Sequence, residues 1–288
     1  MPQNRSSLVS AHRVRGSDLR CWTYPSVGPS SGILLAVHGF RGDHHGLQLL
    51  VDQLPEYTVV VPDLPGFGAS TPMAATAHDV PGYSAVVADL AKELGLGPRT
   101  TLLGHSFGSI VAAFHLAAHP GSFERMVLIN PICEPALEGS HALMSRAAAA
   151  FYAAGALLPE STGERLLRSR IVSDLMSATM TKSSDHAVRA YVKDQHRRYF
   201  GRFSGRDTLR EAFGASITGT VRQVAPAIGA PTLLVAGALD ELGSPAGQEA
   251  LAAEFPAAEL RVIDGVGHLI HYERPAAAAG HIRAFLAS

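Results

Sequence analysis

Short runs of apolar residues, each closed by turn-forming residues, alternate along the chain with longer stretches where apolar positions recur every three or four residues. The runs are GILLAVHG near 32–39, YTVVVPDLPG near 57–66, TTLLGHS near 100–106, ERMVLINP near 124–131, PTLLVAG near 231–237 and AELRVIDG near 258–265. In each, Val, Ile and Leu follow one another without polar alternation. That pattern predicts strands covered on both faces, as in a parallel sheet. The intervening HGLQLLVDQL, YSAVVADLAKEL, SIVAAFHLAAH, AGQEALAAEF and PAAAAGHIRAFLA carry helical spacing. Alternating β and α units predict an α/β fold built on a doubly wound, mostly parallel sheet.

The alternation lapses between Ile132 and Arg222, where helix-like segments occur without a buried strand. The pattern therefore predicts a core of residues 1–131 and 223–288 carrying a helical cap inserted at 132–222. This insert holds thirteen Lys and Arg against nine Asp and Glu, while the whole chain has a formal net charge of -1. A solvated basic helix face is the plain reading of KDQHRRYFGR, and attraction of an anionic substrate such as a carboxylate is the sharper one. Near-neutrality overall supplies no field for nucleic acid or an anionic membrane. The two cysteines, Cys21 and Cys133, cannot build a disulfide framework and lack metal-ligand spacing. A reducing compartment and a cytoplasmic location are expected. The N-terminal MPQNRSSLVSAHRVRGSDLR has no apolar targeting core, and the longest apolar tract, AAAAFYAAGALL, is too short to span a membrane.

Open α/β sheets bind ligands at the carboxyl ends of their strands, so the residues just after each run carry the chemistry. HGFRGDHHG follows the first run. Ser106 follows the third, framed as Gly104-x-Ser106-x-Gly108. This serine reads either as an N-cap of the next helix or as a nucleophile on a strained strand-to-helix turn. Asp240 follows PTLLVAG, and His268 follows AELRVIDG. The order Ser, Asp, His is the one the nucleophile-elbow fold uses.

Five segments together carry a resemblance: HGF at 38–40, DLPGFGAS at 63–70, GHSFG at 104–108, GALDELGSP at 237–245 and GVGHLIHYERP at 265–275. On these the chain resembles the α/β-hydrolase fold superfamily, a serine-nucleophile member with a helical cap. The resemblance implies Ser106 as nucleophile, His268 as its base and Asp240 as the acid that orients the imidazole. It further implies an oxyanion hole from the backbone N–H groups of Phe40 and Phe107. His38, Gly39, Gly104 and Gly108 are expected to support the two turns. A serine rather than an aspartate at the elbow favours acyl over alkyl-enzyme chemistry.

Each of these residues has a competitor. His271 rivals His268, and Glu241 rivals Asp240; Asn130, ending the MVLIN run, offers no carboxylate. Asp63 is read as tying backbone N–H groups of the LPGFG turn. The RGDHH cluster at 41–45 is read as metal-free, because adjacent histidines do not easily converge on one ion. Arg41, His44 and His45 are left as candidates for a pocket rim. The expected function is hydrolysis of a small carboxylic ester, lactone or thioester through an acyl-enzyme, without cofactor or metal. The alternatives are a C–C bond hydrolase, a cofactor-free lyase or oxygenase on the same scaffold, and a low-turnover small-molecule receptor.

Overall fold

The computed structural model describes residues 5–135 and 142–288. Eight strands form one sheet: β1 (Leu8–Val14), β2 (Ser17–Tyr24), β3 (Ile33–Val37), β4 (Thr58–Pro62), β5 (Thr100–His105), β6 (Arg125–Ile129), β7 (Thr232–Gly237) and β8 (Ala258–Ile263). Their order across the sheet is β1-β2-β4-β3-β5-β6-β7-β8. From β4 to β8 every pairing is parallel, and β1 and β2 add antiparallel at one edge. The fold is the α/β architecture expected from the apolar runs.

Side chains alternate faces along a strand, and the core divides accordingly. Leu35, Val37, Leu102 and Leu128 point into one apolar layer, where α2 (Val80–Glu93), α3 (Phe107–Ala118) and α9 (Pro245–Glu254) cover them. Leu34, Ala36, Leu103 and Val127 point into the other, under α1 (His44–Asp52) and α11 (Pro275–Ala287). Burial on both sides explains why these strands lack polar alternation. The helices start on side-chain caps that satisfy otherwise free N–H groups: Asp43 accepts from His45 N–H, Asp79 from Gly82 N–H and Ser244 from Gly247 N–H.

Between β6 and β7 run α4 (Ala142–Leu157), α5 (Glu160–Leu167), α6 (Arg170–Met180), α7 (His186–Tyr199) and α8 (Arg206–Thr218). Their anchorage to the core is specific. Tyr152 and Phe203 join the layer that holds Phe67 and Phe107. Lys182 and Ser183 donate backbone N–H groups to the Glu273 carboxylate, which stands in the short α10 (Ile270–Glu273). Among the described residues no helix is long and apolar enough to cross a membrane.

The N-terminal hairpin went unread in the sequence. Val14 pairs with Ser17, so Arg15 and Gly16 form a two-residue turn, both at positive φ (50° and 77°). That is the turn geometry matching strand twist. Alternation across this half-exposed pair, with Gly at the turn, was the available signal.

Candidate functional site

Ser106 sits where β5 ends and α3 begins, at φ 53° and ψ −120°, a left-handed conformation that is costly for a residue with a side chain. Close backbone crossings hold it there. A Cβ on Gly104 would lie 2.3 Å from the Gly108 carbonyl oxygen, and one on Gly108 would lie 2.2 Å from the Val37 oxygen. Only glycine fits at either place. The strand-to-helix turn thus lifts Ser106 out of the sheet toward the loop after β3, where a Cβ on Gly39 would sit 3.1 Å from Ser106 Cβ.

Residues from three strand ends meet at this serine. His268 Nε2 is 2.7 Å from Ser106 Oγ. On its other side, His268 Nδ1 lies 2.9 and 3.0 Å from the two Asp240 oxygens. With Nδ1–H donating to the carboxylate, Nε2 is left as the acceptor facing the hydroxyl. Asp240 also accepts from Leu242 N–H at 2.9 Å and from Asn130 Nδ2 at 2.7 Å. Burial opposes ionisation of Asp240. Even so, the attraction of His268 and the hydrogen bonds from His268, Leu242 and Asn130 hold its carboxyl below the usual carboxylate range.

Asn130 escaped the sequence reading, which noted only its missing charge. It is fully buried at the end of β6 and adopts φ 47°. Its amide donates both to Asp240 and to the Gly267 carbonyl at 3.1 Å, bracing the acid and the residue before His268 together. An asparagine after a strand gives no sign of a partner more than a hundred positions away. Asn tolerance of positive φ was the only sequence hint.

The rival residues are engaged elsewhere. His271 packs its ring 4.0 Å from His105, and burial followed by repulsion from neighbouring imidazoles keeps it neutral. Glu241 pairs with Lys182 of the insert. Asp63 accepts from His44 N–H and His44 Nδ1 and, through its other oxygen, from Ala69 N–H, which closes the 64–70 turn. Cys21 and Cys133 are buried and unpaired, and burial raises both thiols to about 12.

The loop after β3 is organised by His38. Its Nδ1–H donates to the Gly39 carbonyl at 2.8 Å, and its Nε2 accepts from Leu64 N–H at 2.8 Å. Gly42 N–H donates to the same Gly39 carbonyl. Because a trans peptide sends its C=O and N–H in opposite directions, the Phe40 N–H faces away from these anchors. Among the described residues, neither Phe40 N–H nor Phe107 N–H donates to a protein acceptor. Phe107 opens α3, so the positive end of that helix reaches Ser106.

Arg41 lines no pocket rim, contrary to one sequence reading, whereas His44 and His45 both line a cavity together with Trp22 and Tyr199. Arg41 is buried against the insert, and His44 is buried under the Trp22 ring at 3.6 Å. His45, half-buried, stacks on Tyr199. The candidate ligand atoms of Asp43, His44 and His45 lie within 4.8 Å of one another. The two imidazoles, however, spend their Nδ1 atoms on Asp63 and Asp43.

The chain as a whole is similar to known proteins. The family profile described as alpha/beta hydrolase fold matches residues 32–275. Lipase 3 of Moraxella sp. (strain TA144) is 23% identical over 259 residues, covering 88% of this chain and 76% of that protein. The magnesium-chelatase 30 kDa subunit of Rhodobacter capsulatus is 28% identical over 279 residues, covering 94% of this chain and 92% of its own. The enol-lactonase from Burkholderia xenovorans LB400 has a TM-score of 0.79 at 19% identity, over 97% of this chain and 100% of that one. At that identity the structural likeness shows the fold.

Proposed function

The chain belongs to the alpha/beta hydrolase fold family, and from that premise we propose that it hydrolyses a small carboxylic ester, lactone or thioester through an acyl-enzyme on Ser106. The observation that carries this reading is the continuous chain Ser106 Oγ, His268 Nε2, His268 Nδ1 and Asp240, with contacts of 2.7 and 2.9 Å. A serine hydroxyl is a weak nucleophile until a base takes its proton. His268 is placed to do so as Oγ attacks the carbonyl carbon, and then to hand that proton to the leaving alcohol or thiol. Asp240, held ionised, fixes the imidazole tautomer and stabilises its cation. The free Phe40 and Phe107 N–H groups are the proposed donors to the oxyanion, each worth about 3–4 kcal/mol in the transition state. Water activated by the same imidazole releases the acyl group. None of these steps calls for a cofactor or metal.

The lipase and the enol-lactonase among the similar proteins carry names for the same bond class. Turnover of a panel of short- and medium-chain p-nitrophenyl esters, thioesters and lactones tests the reading. Wild-type protein should turn over at least one of them repeatedly, and Ser106→Ala should lose roughly a thousandfold or more in kcat. Substantial activity surviving in Ser106→Ala would instead favour base catalysis by His268 alone. A single slow event without turnover would favour a receptor.

A further inference from the structure

Arg41 follows the proposed oxyanion donor Phe40 directly, and its situation is unusual on three counts. Its φ of 59° is left-handed, a conformation that glycine takes freely and arginine resists. Only 2% of its surface is exposed. Its guanidinium finds no carboxylate within ion-pair distance among the described residues and spends its donors on neutral acceptors. Nε and Nη2 donate to the Phe200 carbonyl at 3.0 and 2.9 Å, and Nη2 also to the Leu167 carbonyl at 2.9 Å. Nη1 donates to the Tyr152 hydroxyl at 3.2 Å. The guanidinium carbon also lies 5.5 Å from the Phe203 ring centroid.

Each of these partners lies in the helical insert: Tyr152 within α4, Leu167 at the end of α5, Phe200 just after α7. Lysine would concentrate its donors at one point, whereas the guanidinium fork spreads Nε, Nη1 and Nη2 over three separate acceptors. Burying a cation on a strained backbone is costly, and what this arrangement achieves is a rigid link between the loop and the insert. Phe40 adds to the link. Its ring meets Phe67 of the core at 5.9 Å and Tyr152 and Phe213 of the insert at 5.6 and 5.7 Å.

We propose that Arg41 is a positioning residue for the reaction: by clamping the loop after β3 to the insert, it holds the Phe40 N–H in register with Ser106. The peptide that carries this N–H is anchored on its core side by His38 and Gly42 and on its far side by Arg41. Docking of the insert and geometry of the oxyanion site are thereby coupled. This rests on the acyl-enzyme reading.

The test uses Arg41→Gly, Arg41→Lys and Tyr152→Phe in the full chain, with melting temperature as the check on folding. Arg41→Gly suits the backbone conformation, which offsets part of the cost of losing the buried side chain and its clamp. For each variant, kcat and KM for a p-nitrophenyl ester and the second-order rate of fluorophosphonate labelling are compared with wild type. A misplaced donor should lower kcat and the labelling rate together, by roughly 30- to 100-fold in Arg41→Gly, with KM within about threefold. Arg41→Lys should stay within a few-fold of Arg41→Gly, and Tyr152→Phe should lose about two- to fivefold in kcat. Unchanged kcat and labelling in Arg41→Gly, or a raised KM with kcat preserved, would overturn the proposal and leave Arg41 as an anchor for the insert alone. If Arg41→Gly does not fold, full activity in both Arg41→Lys and Tyr152→Phe overturns it equally. A wild-type protein that neither labels nor turns over would sink the acyl-enzyme reading instead, a result distinct from any of these.

Discussion

Asn130 gains its importance from geometry alone. One amide group donates to Asp240 and to Gly267 from a backbone at positive φ, so two segments of the proposed site depend on it. Asn130→Ala removes both hydrogen bonds and puts a Cβ-bearing residue without a compensating side chain in the left-handed region. A loss of about 2–3 kcal/mol is expected, read as a fall in melting temperature of roughly 3–5 °C. Because the acid loses a fixed partner, kcat should also fall by roughly tenfold or more, with KM nearly unchanged. A melt and activity indistinguishable from wild type would contradict that role. At this scale the sequence was legible where a residue announces itself locally. Ser106 stands between two glycines, and His268 follows a glycine after a strand. Asn130 and Arg41 announce nothing, because what defines them lies across the fold.

The crossing of β5, α3 and the loop after β3 is where elements constrain one another most. Gly104 faces the Gly108 backbone and Gly108 faces Val37, with backbone oxygens 2.3 and 2.2 Å from where a Cβ would fall. Backbone cannot yield as a flexible side chain can. Gly108→Ala should therefore cost about 3 kcal/mol or more and leave little soluble protein. A chemical or thermal denaturation curve on whatever folds checks this, and a wild-type midpoint would contradict it. The inner parallel strands were readable because burial on both faces leaves an unbroken apolar run. The hairpin β1–β2 was harder to read: Leu19 and Cys21 alternate with exposed Asp18 and Arg20 in β2, but exposed Leu8 and Val9 blur the period of β1. Helices α4 to α8 fall in the stretch where the sequence shows no buried strand, yet their attachments at Arg41, Glu241 and Glu273 come from side chains scattered over the sheet region.

Across the whole molecule, buried histidines set the response to acid. Burial, then repulsion from His268, lowers His105 to about 3; burial lowers His115 to about 4; burial, then the charge of Arg41, lowers His196 to about 3. All three stay neutral in the folded protein at pH values where they would be protonated in the unfolded chain. Unfolding therefore takes up protons between roughly pH 6.5 and 4, and stability falls as the solution is acidified through that window. The slope is about 1.4 kcal/mol per pH unit for each such histidine. Asp240 acts lower. Its depressed value contributes stability above the ordinary carboxylate range, and this is lost only as pH falls through its folded value. Melting temperature should thus drop steeply between roughly pH 6.5 and 4, and a flat profile there would contradict the neutral assignment.

The central claim is that Ser106 is an activated nucleophile. Reaction with a fluorophosphonate, followed by intact mass on wild type, Ser106→Ala and His268→Ala, tests it most directly. The account predicts one adduct per chain on wild type and none on either variant. An unlabelled wild type, or an adduct that persists in Ser106→Ala, would contradict it.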